Sequence, residues 1–376
     1  MNRIMYIGLD VDDNAFHGCG IFEQDGREQM VEFKVKPNIG ALMQKLGNFK
    51  KDGFILKVCY EATYLGYCLA RDLKNKEIDC EVIAPSSIPR QADKTAKTDK
   101  IDARDLAKYY KNGLLTVVTI PDEAMEKARD LLRSRQFIGQ QLRDLKRHIL
   151  STCRRAGLNY RESSPNKKAA YFTATHKKWL EVETNQQTNE HFKFNMKMLL
   201  SQMGQFENQL ENYTTEIENI AQTPEYQKKV QSLICYRGID ILSAMVLILE
   251  LGDIARFSHP RKLTSYAGMD LREYSSGGKE RKYSMSKMGN VHIRTVSVEA
   301  CQRAQLTPQI SRSLKDRRSR VPVEFTEIAD RCMKRLYKKS NHLLHAGKPV
   351  NKIKVACARE MLCFVWESLR LASATA

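Results

Sequence analysis

Between residues 192 and 220 nine apolar side chains, Phe192, Met196, Leu199, Met203, Phe206, Leu210, Tyr213, Ile217 and Ile220, recur at steps of four and three. Held for about four heptads, that spacing specifies a helix whose apolar seam faces another helix. A looser set precedes it: Met125, Ala128, Leu132, Ile138, Leu142, Leu145 and Ile149, with the polar Arg135 inside the seam. The sets flank a break containing Gly, Pro and Ser between 157 and 166. Two such helices can pack as a hairpin within one chain or can pair chains, and periodicity does not choose. A seam of this length, in 376 residues, implies two or three domains, since single cores stop growing at roughly 250–300 residues. The expected division is 1–118, 119–222 and 223–376.

Before the seam the apolar period is different. MYIGLDV, HGCGIFEQ and EQMVEFKVK alternate like strands, with a turn at Asp25-Gly26 between the second and third. A helix follows on Ile39, Leu42, Met43, Leu46 and Phe49, then the apolar run FILKVCYEA, a helix around Tyr67–Leu73, a strand CEVIA and a basic helix over about 99–110. Three strands, helix, strand, helix, strand, helix is the element order of a ribonuclease H-like α/β domain. After the seam the chain reads as mainly helical. VQSLICYRGIDILSAMVLILELGDIARF outlines a helix-hairpin-helix, in which the turn and the second helix N-terminus can hold a phosphate. A Ser-Ser-Gly-Gly turn among Arg272, Lys279, Arg281, Lys282 and Lys287 comes next, and the remainder is basic and helical.

The balance of charge, 62 Lys plus Arg against 44 Asp plus Glu, gives +18. On a chain 42% hydrophobic that charge sits on folded surfaces, and its expected partner is a polyanion. A membrane surface or an acidic protein is the alternative. Asp10, Asp12 and Asp13 interrupt what would be the apolar core of a signal peptide, and the apolar run Ile241–Leu251 is short of the roughly 20 residues that span a bilayer. The expected location is cytoplasmic, at the nucleoid, without a membrane partner. The 10 Cys form no C-x-x-C pair, so a zinc knuckle is excluded and buried reduced thiols are expected.

Carboxylates carry the chemistry. Asp10 lies in an apolar strand between Leu9 and Val11, where a lone acid is costly without a partner. Glu61 ends the fourth strand, a neighbour of the first in this topology. Asp99 and Asp102 stand three apart, on one face of the last helix. Four hard oxygen ligands suit Mg²⁺, or Mn²⁺ in its place, and two such ions can drive phosphodiester chemistry. Against this, Asp99 and Asp102 among Lys94, Lys97, Lys100 and Arg104 also read as a solvated helix face laced with ion pairs. A Ser in a Gly-rich turn is most often only a loop residue, yet a Ser hydroxyl such as that of Ser276 among cations could attack a phosphodiester. Residue pattern leaves both alternatives open.

GLD around Asp10, YEAT around Glu61, KTDKIDARDLA, SYAGMDLREYSSGG and MSKMGNVHIR together resemble the DEDD-type transposases of bacterial insertion sequences. These are relatives of the pilin-gene invertase, RNA-guided recombinases that use a bridge RNA. The resemblance implies a RuvC-like (ribonuclease H-like) domain whose four acids, here Asp10, Glu61, Asp99 and Asp102, bind Mg²⁺. It implies a central coiled coil that assembles dimers or tetramers, and a C-terminal transposase domain with a nucleophilic Ser, matched by Ser276 with Ser275 second. Element-end and target DNA and a guide RNA are the implied partners, with Lys94, Lys97, Lys100, Arg104, Arg272, Lys279, Arg281, Lys282 and Lys287 as phosphate contacts. One departure stands out: the family's Pro-Gly-Ile-Gly hairpin reads Tyr236-Arg237-Gly238-Ile239-Asp240 here. A junction-resolving nuclease that uses water, and a non-catalytic DNA-bridging protein, are the rival readings.

Overall fold

The structure, a computed structural model, describes residues 3–89, 99–276 and 279–374, with the side chains at 87, 99–100 and 272–284 outside that description. Lys94 and Lys97 lie outside the described residues. The chain divides into two units, Met1–Pro121 and Asp122–Ala376.

The first unit runs β1 (Arg3–Val11), β2 (Phe16–Gln24), β3 (Arg27–Val35), α1 (Ile39–Lys51), β4 (Phe54–Glu61), α2 (Cys68–Asn75), β5 (Asp79–Ile83) and α3 (Asp99–Lys111). The strands form one mixed sheet in the order β3-β2-β1-β4-β5, antiparallel through the first three and parallel from β1 to β5. Asp25 and Gly26 both take positive φ, the two-residue turn whose twist matches that of its flanking strands. Alternation sorts β1 cleanly. Met5, Ile7, Leu9 and Val11 join Leu56, Val58 and Tyr60 in a core covered by Leu42, Leu46 and Phe49 of α1 and by Leu69 and Leu73 of α2. The opposite face takes α3, where Ala103 and Ala107 meet Cys19 and Ile21. Gly8 permits that approach: a Cβ there would fall 2.4 Å from both the Ala103 carbonyl and the Ala107 nitrogen. This mixed α/β unit agrees with the expected ribonuclease H-like element order.

The second unit begins with α4 (Glu123–Arg155), α5 (Tyr160–Ser163), α6 (Ala174–Gln186) and α7 (Glu190–Ala221). Helices α4 and α7 pack antiparallel within the chain: Arg135 Nε donates to Thr214 Oγ1 at 2.8 Å, and Lys146 meets Glu207 at 2.9 Å. The Thr214 hydroxyl explains how a guanidinium is tolerated inside the seam. Far from the base, Leu142, Leu145, Ile149, Met196 and Met203 form a separate apolar cluster with Leu180 of α6. At the foot, Ala128, Leu132, Ile217 and Ala221 belong to the C-terminal core.

That core is built from α8 (Pro224–Ile234), α9 (Ile241–Leu251), α10 (Pro260–Tyr266), the hairpin β6 (Leu271–Ser276) and β7 (Lys279–Met285), α11 (Val291–Ala300), α12 (Arg312–Arg318), α13 (Val323–His345) and α14 (Val350–Ala374). Helix α9 is buried from Ala244 to Leu251, and α14 packs against α8, α10, α11 and α13. The β6–β7 hairpin departs from the helical expectation. Its strands, LREYSS and KERKYSM, carry too few apolar residues to show a period of two. Among the described residues every Cys is free, seven of them buried, and no helix is long and apolar enough to cross a membrane.

Candidate active site

The sheet brings two of the predicted acids side by side. Strands β1 and β4 run parallel with Leu9 opposite Tyr60, so the next step of the same register sets Asp10 opposite Glu61. Directly paired residues leave the same face of a sheet, and both acids are half-buried. Across the antiparallel ladder Asp10 also pairs with His17, and His17 with Lys34. The row Lys34, His17, Asp10, Glu61 therefore crosses four strands on the face of Gly8, the one covered by α3. Helix α3 runs opposite to β1: the Tyr110 ring lies 5.8 Å from that of Tyr6, and Ala103 to Ala107 cross Gly8. Its acidic end thus heads toward Asp10, with half-buried Asp102 immediately before Ala103.

Hard carboxylate donors on one face are the chemistry that Mg²⁺ or Mn²⁺ selects. Asp10 and Glu61 fit as the sheet half of such a site, and Asp102 lies on the helix that covers it. Among the described residues no three His, Cys, Asp or Glu come together around one point, and the Asp99 side chain is outside that set. Arg104, one of the predicted phosphate contacts, donates from Nε to Glu32 at 3.2 Å, and Lys111 bridges Glu23 and Glu28. The Lys100 side chain lies outside the described residues.

Ser276 does not sit in an open turn. It is the last residue of β6 and pairs with Lys279, while Ser275 pairs with Glu280. The side chains of both serines and of Arg272, Lys279, Arg281 and Lys282 lie outside the described residues; Lys287 is described and exposed. What holds the hairpin is plain. The segments SYAGMD and SKMGN are its two ends, and three backbone bonds staple them: Ser286 N to Asp270 O at 2.8 Å, Lys287 N to Gly268 O at 3.0 Å and Asn290 N to Tyr266 O at 2.8 Å. Gly268 and Gly289 touch backbone to backbone, and a Cβ on Gly289 would fall 2.4 Å from the Tyr266 carbonyl. Arg294 Nη1 closes the clamp on the Ala267 carbonyl at 2.8 Å.

Below this clamp lies a charged node the sequence reading missed. Glu250, only 1% exposed within apolar α9, accepts from Arg133 Nε at 2.8 Å and Nη2 at 2.9 Å, and from Asn290 Nδ2 at 2.7 Å. Burial raises the carboxyl's pKa, but the Arg133 and Asn290 bonds outweigh it and hold the group below the usual Glu range. Asn290 also caps α11 by accepting from Ile293 N. One side chain therefore links the exit of the hairpin, α11 and, through Glu250, the long helix α4. The signal was present: an acid within ILSAMVLILEL is as costly as Asp10 in its strand, and calls for a cationic partner.

At the turn between α8 and α9 the chain's own side chains take the place where a phosphate could bind. Asp240 caps α9, its carboxylate accepting from Ser243 N at 2.8 Å, so an acid already occupies the helix N-terminus that could have held a phosphate. The arginines there face inward. Arg237 donates to the carbonyls of Thr307, Arg303 and Leu306, Arg318 to that of Cys235, and Arg317 to that of Ile239. The turn is a structural joint.

Comparison with known proteins agrees with this architecture on both units. A family model of IS110-type DEDD transposases, described as Transposase, matches residues 7–156, and one described as Transposase IS116/IS110/IS902 family matches 231–315. The protein y4qE of Sinorhizobium fredii, named as a transposase, is 31% identical over 317 residues, covering 84% of this chain and 76% of that one. The transposase for insertion sequence element IS1533 of Leptospira borgpetersenii is 28% identical over 361 residues, covering 94% of this chain and 100% of the relative. That for IS1111A of Coxiella burnetii is 23% identical over 305 residues, 79% of this chain and 77% of the relative. The two matched segments hold the paired acids and the clamped hairpin, and the chain belongs to the IS116/IS110/IS902 family of insertion-sequence transposases, enzymes that act on DNA.

Proposed function

We propose that this transposase cuts and exchanges DNA strands through a covalent serine–DNA link, with Ser276 as nucleophile and Asp10, Glu61, Asp99 and Asp102 as the acids that hold divalent metal. The observation that carries the reading is the register that sets Asp10 beside Glu61 under the acidic end of α3. A bound Mg²⁺ supplies positive charge at the scissile phosphate. The chain's own part is positional. The sheet fixes two carboxylates by ladder register, and the clamp at Gly268 and Gly289 fixes the strands that bear Ser276. In the transfer step the Ser276 oxygen forms a bond to phosphorus and gives up its proton, the bond from phosphorus to the leaving sugar oxygen breaks, and that oxygen takes up a proton.

In this reading the parts 1–118, 119–222 and 223–376 divide the work. The first bears the acids, the α4–α7 pair assembles subunits as a coiled coil into dimers or tetramers, and the last bears the serine. A bridge RNA supplies sequence choice by base pairing, while the basic surfaces hold RNA and DNA backbones. The enzyme then works in the cytoplasm at the nucleoid. The experiment is Mg²⁺-dependent cleavage of element-end DNA by the wild type and by Asp10→Asn, Glu61→Gln and Ser276→Ala. Loss of cleavage in the acid variants, with RNA and DNA binding kept, supports the metal assignment; cleavage retained by Asp10→Asn sinks it. Cleavage unchanged in Ser276→Ala would favour the junction-resolving nuclease, and no cleavage under any metal condition the DNA-bridging protein.

A further inference from the structure

Helices α10, α13 and α14 enclose a cleft of about 630 Å³, lined among others by Arg261, Lys339, Arg359, Glu360, Cys363 and Glu367. Its two acids are already neutralised. Glu360 pairs with Arg335 and Lys339, and Glu367 with Arg331. Its two guanidinium groups are not. Among the described residues the exposed Arg261 side chain has no ion-pair or hydrogen-bond partner. Among the described residues Arg359 reaches only Asp270, loosely, at 3.8 Å, and its buried Nε has no acceptor there. A buried N–H without an acceptor is a cost that native proteins avoid unless a ligand or water supplies the oxygen. Burial and then the Glu360 carboxylate raise the Cys363 thiol, while Lys339, Arg359 and Arg261 lower it in part, so these charges lie near the same point of the cleft.

We propose that this cleft binds a backbone phosphodiester of DNA, with Arg261 and Arg359 as its donors. Each guanidinium presents a planar fork that matches two phosphate oxygens, and about a third of the Arg359 side chain is exposed to receive them. The place in the chain gives the site its use. Asp270, a partner of Arg359, immediately precedes β6, so a phosphate that takes Arg359 frees one carboxylate oxygen at the root of the serine hairpin while the Ser286 backbone bond stays. DNA seated here is thereby held next to the base of the strands that bear Ser275 and Ser276. The site rests on the reading of the chain as a DNA strand-exchanging transposase, and it adds a contact outside the basic segments named from sequence.

The test uses the full-length protein and a fluorescent duplex carrying the element end. Affinity is measured by anisotropy between about 50 and 200 mM salt. Arg261→Gln, an exposed change that folding tolerates, makes the slope of log K against log salt shallower by about 1, and Arg261→Gln with Arg359→Gln by about 2, with affinity down by about tenfold or more. In the wild type, DNA slows alkylation of Cys363, followed by peptide mass spectrometry, several-fold, while inorganic phosphate at equal ionic strength does not. Slopes and affinities equal to wild type in both variants overturn the site and leave the transposase reading intact. Loss of affinity for an RNA duplex alone, or protection of Cys363 by inorganic phosphate as full as by DNA, also overturns it, since the cleft would then serve another ligand. A wild type that binds no element-end DNA removes the functional reading and the site together.

Discussion

The two units position their candidate site residues by different physics. In the first, a ladder does the work: once β1 and β4 pair in parallel, Asp10 and Glu61 are forced into one row, and the apolar residues around them fix the register, because a slip of one residue would turn the whole set over. In the second, among the described residues, no ladder reaches the serine strands from the core. The β6–β7 hairpin stands on two short loops tied by backbone bonds, two touching glycines and a buried ionic node. A site set by register tolerates side-chain changes around it. A site set by a clamp depends on a few atoms far away in sequence.

Breaking the clamp from below has the largest expected effect on stability. Arg133→Met leaves the Glu250 carboxylate buried without its cation, which costs about 3–5 kcal/mol in denaturant unfolding. Pairing it with Glu250→Leu restores most of the loss, because the uncompensated charge is gone. A cost under about 1 kcal/mol for the single variant would show that the node does not hold the unit together.

The ladder is tested at Gly8. A methyl group there meets the backbone of α3, so Gly8→Ala costs about 1–3 kcal/mol and pushes the Asp102 helix off the sheet. Strand cleavage should fall while far-ultraviolet circular dichroism stays near wild type; full activity with unchanged stability contradicts the close approach. At the turn before α9 the effect is smaller. Asp240→Ala removes the cap of α9 and costs about 1 kcal/mol, measured by thermal unfolding.

The smallest difference is read by pH. His176 is buried among Tyr160, Tyr171, Phe172 and Trp179, and burial lowers its pKa to about 4. The unfolded chain therefore binds a proton that the folded chain refuses between about pH 6.5 and 4, so stability from this group is lost as pH falls through that window. His176→Phe should flatten the melting-temperature profile there relative to wild type. Parallel profiles would mean that the imidazole is charged in the fold.

Much of the first unit was legible in the sequence, because strands declare themselves by local alternation and Asp25-Gly26 by turn chemistry. Asp10 was legible for the same reason, as an acid where the pattern demands an apolar residue. His17 was not. Its pairing with Asp10 depends on the length of the connection between β1 and β2, which has no two-residue turn to count from. In the second unit the seam on α4 and α7 was legible, but not the clamp: Gly268 and Gly289 meet across a hairpin whose strands are polar, and such contacts leave no periodic trace. Glu250 was readable by the logic applied to Asp10. A helix of its apolar character drew attention to its length and away from its one acid. The phosphate reading at the turn before α9 rested on a free helix N-terminus, whereas the Asp240 side chain caps it and Arg237 and Arg318 point at carbonyls inside the fold.

The central claim of the proposed function is that Ser276, on the clamped hairpin, attacks DNA. It is tested most directly by trapping. Protein, Mg²⁺, element-end DNA and RNA transcribed from the element's noncoding flank are combined, and products are separated on a denaturing gel for wild type, Ser276→Ala and Ser275→Ala. The account predicts a protein–DNA adduct that survives denaturation, persists in Ser275→Ala and vanishes in Ser276→Ala and without RNA. Cleaved DNA with no adduct, at equal yield in Ser276→Ala, would contradict it.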